Sequence, residues 1–152
     1  MAVRNIITLE DDVLRKKSKV VTNFDEKLIE LLDDMKETLI AADGAGLAAV
    51  QIGILKRIVV ISVNGMYLEL INPEIIKTSG KQIEEEACLS VPGKKGIVER
   101  PEKVTVKAVD RYGYDFTITG ESLLAKAFCH EIDHLDGILY IDKATKIINC
   151  KG

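Results

Sequence analysis

Long apolar runs are missing from this chain: no stretch approaches the ~18 apolar residues of a membrane-crossing helix. The amino-terminal stretch MAVRNIITLEDDVLRKKSKVV also lacks the sustained apolar region of a secretory signal. A cytoplasmic protein without membrane contact is therefore expected. A basic surplus is missing too. With 21 Lys+Arg against 24 Asp+Glu, the net charge is −3, which argues against a general binder of nucleic acid or anionic membrane. Cysteine is sparse and odd in number (Cys88, Cys129, Cys150), which fits reduced thiols better than a disulfide framework. Internal repeats, low-complexity tracts and proline-rich linkers are absent. The whole chain, 1–152, is read as one domain, and its 47% apolar and 30% charged residues suit a globular core. Histidine is scarcest of the reactive side chains. His130 and His134 are the only two.

What is present has clear periodicity. The stretch NFDEKLIELLDDMKETLIAA, Asn23 to Ala42, places Leu28, Leu31, Leu32, Met35, Leu39 and Ile40 near one face of an amphipathic helix, with acids in its first turn. After DGAG, the small apolar stretch LAAVQIG reads as a tight loop or strand entry. Two β-rich runs flank Asn64-Gly65, the dipeptide suited to a tight hairpin turn. A second pair, KVTVKAV and DFTITG, is joined by a turn near Tyr112-Gly113. A second helix is predicted from about Glu121 to Asp136, stopped by Gly137. Beyond it, ILYIDKATKIINCKG reads as a short strand and a weakly ordered tail.

That second helix carries HEIDH, residues 130 to 134. At 3.6 residues per turn, His130 and His134 project about 40° apart, so both imidazoles can reach one ion, and Glu131 is offset from His134 by about 60°. This is the logic of H-E-x-x-H. The ion lowers the pKa of a water, and the carboxylate accepts and returns its proton. An isolated match is about as often a solvated helix face. Here Leu123, Leu124, Ala127, Phe128 and Leu135 surround the motif, and burying two imidazoles and a carboxylate without a partner is costly.

A third ligand is wanted, and there is no third histidine. Asp136 and Asp142 are too near or too weakly marked to persuade. Cys129 points about 100° away from His130, and Cys150 lies in the tail. Upstream, EEEACLSVPG offers Cys88. A thiolate with two imidazoles makes a tetrahedral set with one position open, although a lone cysteine of this kind is more often a small buried hydrophobe.

Three segments together, GAGLAAVQ at 44 to 51, EACLS at 86 to 90 and HEIDH at 130 to 134, resemble the peptide deformylase family, in the family's order and with similar separations. The resemblance implies an α+β fold in which antiparallel β-sheets pack around a central metal-binding helix. It implies hydrolysis of the formyl group from the N-terminal formyl-methionine of new polypeptides, releasing formate. It also implies a metal held by Cys88, His130 and His134, with Glu131 as general base and acid. Gln51 and the backbone N–H of Leu89 would stabilise the oxyanion. Gly44 and Gly46 would let an extended peptide approach the backbone. Ala87 and Arg100 would complete the substrate contacts, the latter resembling an arginine the family places near the mouth of the site.

The working ion implied is Fe2+, with Zn2+, Ni2+ or Co2+ able to occupy the same ligands after purification. The implied partners are N-formylmethionyl nascent peptides met in transient proximity to the ribosome, with the enzyme itself a monomer. The chain lacks the long basic carboxyl-terminal helix by which some members dock, so direct docking is not expected. Ala87 stands where the family commonly has Gly, and Val50 where it commonly has Pro or Thr, changes expected to trim the substrate pocket or loop rigidity. Two rival readings share the same helix: a zinc endopeptidase, and a metal- or peptide-binding paralogue with weak or no turnover.

Overall fold

The computed structural model describes residues 2–150; the extreme ends of the expected 1–152 domain lie outside the described residues. Helix α1 spans Glu26–Ala42. The Asp25 carboxylate caps it by accepting the Leu28 N–H at 3.1 Å, which satisfies one of the amides that a helix start leaves free. Leu28, Leu31, Leu32, Met35 and Leu39 are buried, whereas Ile40 is 67% exposed. Its position one residue past Leu39 turns it about 100° off the buried stripe. The helix begins three residues later than Asn23 because Asp25, with extended backbone, is the cap.

Strands β1 (Gly46–Ala48), β2 (Ile58–Val63), β3 (Met66–Ser79), β6 (Lys103–Val109) and β7 (Asp115–Glu121) form an antiparallel sheet in the order β1-β2-β3-β6-β7. Between β2 and β3, Asn64 and Gly65 have φ of 52° and 77°, the left-handed pair that a two-residue hairpin turn demands. Between β6 and β7, the Asp110 carboxylate accepts the N–H groups of Tyr112 and Tyr114 and so folds the second turn. Strands β4 (Gln82–Cys88), β5 (Val91–Arg100) and β8 (Lys146–Asn149) make a separate sheet in the order β4-β5-β8.

Helix α2, Leu123–Leu135, packs on the larger sheet. It starts two residues after the expected Glu121, which is still part of β7; Ser122, at φ 53°, makes the corner. At its far end Gly137, φ 74°, donates to the His134 carbonyl, and Arg57 donates to that of Leu135, so carbonyls left over by the helix find partners. Alternation along β1 and the 3-10 turn Ala49–Ile52 divides the core. Ala48 and Val50 face the α2 side, Leu47 and Ala49 the α1 side. Val50 is fully buried there rather than lining a pocket. The stretch ILYIDKATKIINCKG, expected to hold a short strand and a weakly ordered tail, opens instead with a helical turn, α3, Tyr140–Lys143, and its strand, β8, follows at Lys146–Asn149. Tyr140 is buried against β5, donating its hydroxyl to the Lys94 carbonyl. No helix among the described residues is long and apolar enough to cross a membrane.

Candidate active site

The buried face of α2 holds His130, Glu131 and His134 together. Cys88 reaches them from the other sheet, where the β4–β5 pairing slips between Glu86 and Cys88, the kind of irregularity that re-aims a side chain. Its Sγ lies 3.3 Å from His134 Nε2, and the ligand atoms of Cys88, His130 and His134 all lie within 4.8 Å of one another. Cys129 faces away into the apolar core, where burial pushes its thiol up to about 11. The sequence neighbour is thus not the spatial one.

Each histidine is oriented differently. His130 Nδ1 is 2.8 Å from Glu86 Oε1, which turns Nε2 toward the cluster, and its ring stacks on Tyr140 with centroids 5.9 Å apart. The Glu86 carboxylate is in turn gripped by Arg100 at 2.8 and 3.0 Å, and Arg100 also donates to Asp133 at 2.7 Å. Arg100 is 4% exposed. It is tied to the carboxylate that holds His130 instead of standing at the mouth of the site, because buried Glu86 and half-buried Asp133 hold it there. Glu86 and Asp133 received no role from sequence reasoning; the available signal was the general need of a metal-ligating histidine for a carboxylate on its other nitrogen.

The electrostatics suit a cation. Burial disfavours charge on His130, but the neighbouring Glu131, Cys88 and Glu86 outweigh it and hold its pKa well above the ordinary value. His134, desolvated and beside His130 and Arg100, is pushed well below, and keeps a free lone pair. Burial raises Glu131 to about 7, while Glu86, despite its own burial, is drawn down to about 2 by His130 and Arg100. Acidic groups thus favour charge on His130 while His134 stays neutral, where a thiol and two imidazoles converge. Glu131 Oε1 and His134 Nδ1 are buried without a hydrogen-bond partner among the described residues. Soft sulfur and imidazole donors fit a transition-metal ion with a coordination position left open.

Around this centre lies a cleft of about 380 Å³, walled on one side by Asp43 to Gly46 and on the other by Glu85 to Leu89. Ala87 is exposed in it, and Leu89 lines it next to Cys88. Gly44 is a close-approach position: a Cβ there would stand 2.9 Å from Leu89 Cδ1 and 3.0 Å from Leu39 Cδ1. Gln51, 1% exposed on the 3-10 turn, accepts the Ala48 N–H through Oε1 at 2.9 Å. That bond turns Nε2 toward Ser90 Oγ, at 3.1 Å, and Cys88 Sγ, at 3.6 Å. An amide donor is therefore fixed beside the sulfur. Carboxylate, amide, thiol and imidazoles together can activate a water, deliver it to a carbonyl and receive the charge that develops.

Comparison with known proteins places this arrangement in context. The family profile described as polypeptide deformylase matches residues 3–149. A peptide deformylase of Caldicellulosiruptor bescii is 56% identical, over 98% of this chain and 90% of that one. One from Acetivibrio thermocellus is 55% identical, over 98% and 88%. Among solved structures, a peptide deformylase from Legionella pneumophila superposes with a TM-score of 0.92 at 49% identity, covering 95% of this chain and 87% of its own. That from Thermotoga maritima gives 0.93 at 38% identity, covering 96% and 100%.

Proposed function

The chain belongs to the peptide deformylase family, metal-dependent enzymes that remove the N-terminal formyl group of newly made polypeptides, and from that premise we propose how its residues divide the reaction. Cys88, His130 and His134 hold one divalent ion, Fe2+ in the working enzyme, with Zn2+, Ni2+ or Co2+ able to take its place. When bound, that ion supplies a Lewis acid, which polarises the formyl oxygen and makes water more acidic.

The protein's own groups carry the rest. Glu131 takes a proton from the attacking water as the new C–O bond forms at the formyl carbon. The negative charge moving onto the formyl oxygen is received by Gln51 Nε2 and the Leu89 N–H. Such donors are effective when they are oriented before the charge appears. Glu131 then returns the proton to the leaving nitrogen as the C–N bond breaks, giving formate and a free amine. A carboxyl group raised to about 7 is suited to both halves of that transfer at neutral pH. The peptide lies extended in the cleft between Gly46 of β1 and Ala87 at the end of β4, each on the outer strand of its own sheet, with Gly44 keeping the wall low. Strand-like pairing accepts any backbone and so suits a substrate whose sequence varies after its first residue.

The observation that carries this reading is the meeting of Cys88 Sγ with the two imidazoles beside Glu131, drawn from elements far apart in the chain. The three cysteines are free thiols, which fits the reducing setting of the cytoplasm; there the enzyme would act as a monomer, in transient proximity to the ribosome. The test is formate release from a formyl-methionyl peptide by anaerobically prepared, iron-loaded wild type, Glu131→Gln and Cys88→Ser. Wild type is expected to release formate, and both variants to be severely impaired. Iron binding without formate release by wild type would overturn the reading. An endopeptidase would instead cleave unformylated peptides internally.

A further inference from the structure

Glu131 is buried, yet hydrogen bonds do little to hold its carboxylate. Oε1 has no partner among the described residues, and Oε2 lies 3.9 Å from His130 Nε2, beyond hydrogen-bond length. The shape of the space around it bounds where the carboxylate can lie. One wall of that space is backbone. A Cβ built on Gly46 would stand 2.6 Å from Glu131 Oε2, 2.8 Å from Cγ and 2.9 Å from Cδ. The direction is consistent with the alternation of β1. Residues 46 and 48 share a strand face, and Ala48 packs in the core cluster that includes Phe128 and Ile132 of α2, while Leu47 packs in the cluster of α1.

We propose that Gly46 is a positioning residue for Glu131: the missing side chain on β1 is the socket into which the carboxylate fits, and this steric role is separate from any approach of substrate to the strand. The proposal rests on the assignment of Glu131 as the acid–base group. No left-handed backbone requires glycine at this position; its φ lies outside the positive range. The requirement comes from the space that Glu131 fills. An alanine would force the carboxylate aside by roughly 1 Å to restore van der Waals separation. A misplacement of that size is enough to cost about 100-fold in rate.

The test is a pair of double-mutant cycles on the metal-loaded protein. In the first, kcat and KM for formate release are measured for wild type, Gly46→Ala, Glu131→Ala and the double variant. Gly46→Ala is expected to lower kcat by about 10- to 100-fold with KM within about threefold. In the Glu131→Ala background, where Cγ and the whole carboxylate are gone, the same substitution should lower the residual kcat by less than about threefold. Equal losses in both backgrounds, or a loss confined to KM, would overturn the proposal in favour of a substrate contact.

In the second cycle, urea midpoints of the zinc-loaded proteins are compared for wild type, Gly46→Ala, Glu131→Ala and their combination. Gly46→Ala should lower the midpoint, or prevent folding, only when Glu131 is present. If it destabilises to the same extent in the Glu131→Ala background, the socket is disproved. This cycle needs no turnover, so it stands or falls apart from the assigned reaction. Gly44→Ala, which meets Leu89 and Leu39 instead, is the control whose effect should not depend on residue 131.

Discussion

His130 Nδ1 and Glu86 Oε1 lie 2.8 Å apart, and the same carboxylate is clamped by Arg100, so one imidazole of the metal cluster is fixed through a buried ion pair. Neutralising that carboxylate should loosen the ligand while leaving its shape. For Glu86→Gln, competition with a chelator should show metal affinity reduced by about 10- to 100-fold. For Glu86→Ala, chemical denaturation should show a loss on the order of 3–5 kcal/mol, because the buried Arg100 guanidinium is left with Asp133 as its remaining carboxylate partner. An unchanged chelator midpoint in Glu86→Gln would refute the positioning role.

Removal of the metal should expose the burial cost of Glu131. Its folded-state pKa is raised, from 4.5 to about 7, opposite to the usual carboxylate case. The folded state therefore binds the proton more tightly, and stability falls as pH rises from about 4.5 through about 7. Urea unfolding of the metal-free wild type and Glu131→Gln should show the wild type losing ground to the variant over that window, by a few kcal/mol in all. The groups whose charge opposes or favours this are His130, Glu86, Arg100 and Asp133. Parallel pH profiles would contradict it.

Gln51→Glu retains an oxygen for the Ala48 N–H but replaces the fixed donor with an acceptor. Turnover should fall about 100- to 1,000-fold, the typical cost of one oxyanion donor. The loss should appear in kcat at nearly constant KM, with metal content unchanged. A rise in KM alone would reassign Gln51 to ground-state binding.

Gly137 combines φ 74° with a backbone neighbour: a Cβ there would collide with the carbonyl group of Arg15. A rigid main-chain obstacle cannot swing aside as a side-chain tip can. Thermal unfolding of Gly137→Ala should show a loss of about 2 kcal/mol or more, from left-handed strain together with the clash. A near-wild-type melting temperature would show that the helix end can be rebuilt.

Both long hairpins were legible because their turns are written locally, in Asn64-Gly65 and in the Asp110 to Tyr114 corner. The helix with His130 and His134 was legible for the same reason, since its ligand spacing is one turn. What escaped depends on tertiary context. A short apolar run such as ILYI suits a strand or a buried helical turn equally, and packing of Tyr140 against β5 and His130 accompanied the second outcome. Arg100 was expected near the mouth of the site because nothing in its neighbourhood in sequence announces Glu86 and Asp133 as partners. For Val50, pocket shape and loop rigidity were both open, and the alternation of its segment placed it in the core. Cys88 could be nominated by chemistry and resemblance, but the slipped pairing that aims it emerges only when β4 meets β5.

The two cleft walls also bear on solubility. β1 ends one sheet and β4 ends the other, and an open strand edge invites another chain to add on, the first step of aggregation. Here that hazard is contained by dimensions. β1 offers three residues, and the slip between Glu86 and Cys88 interrupts the facing edge. A single extended strand can be received for a short distance, while a second sheet finds no long, flat ladder to extend.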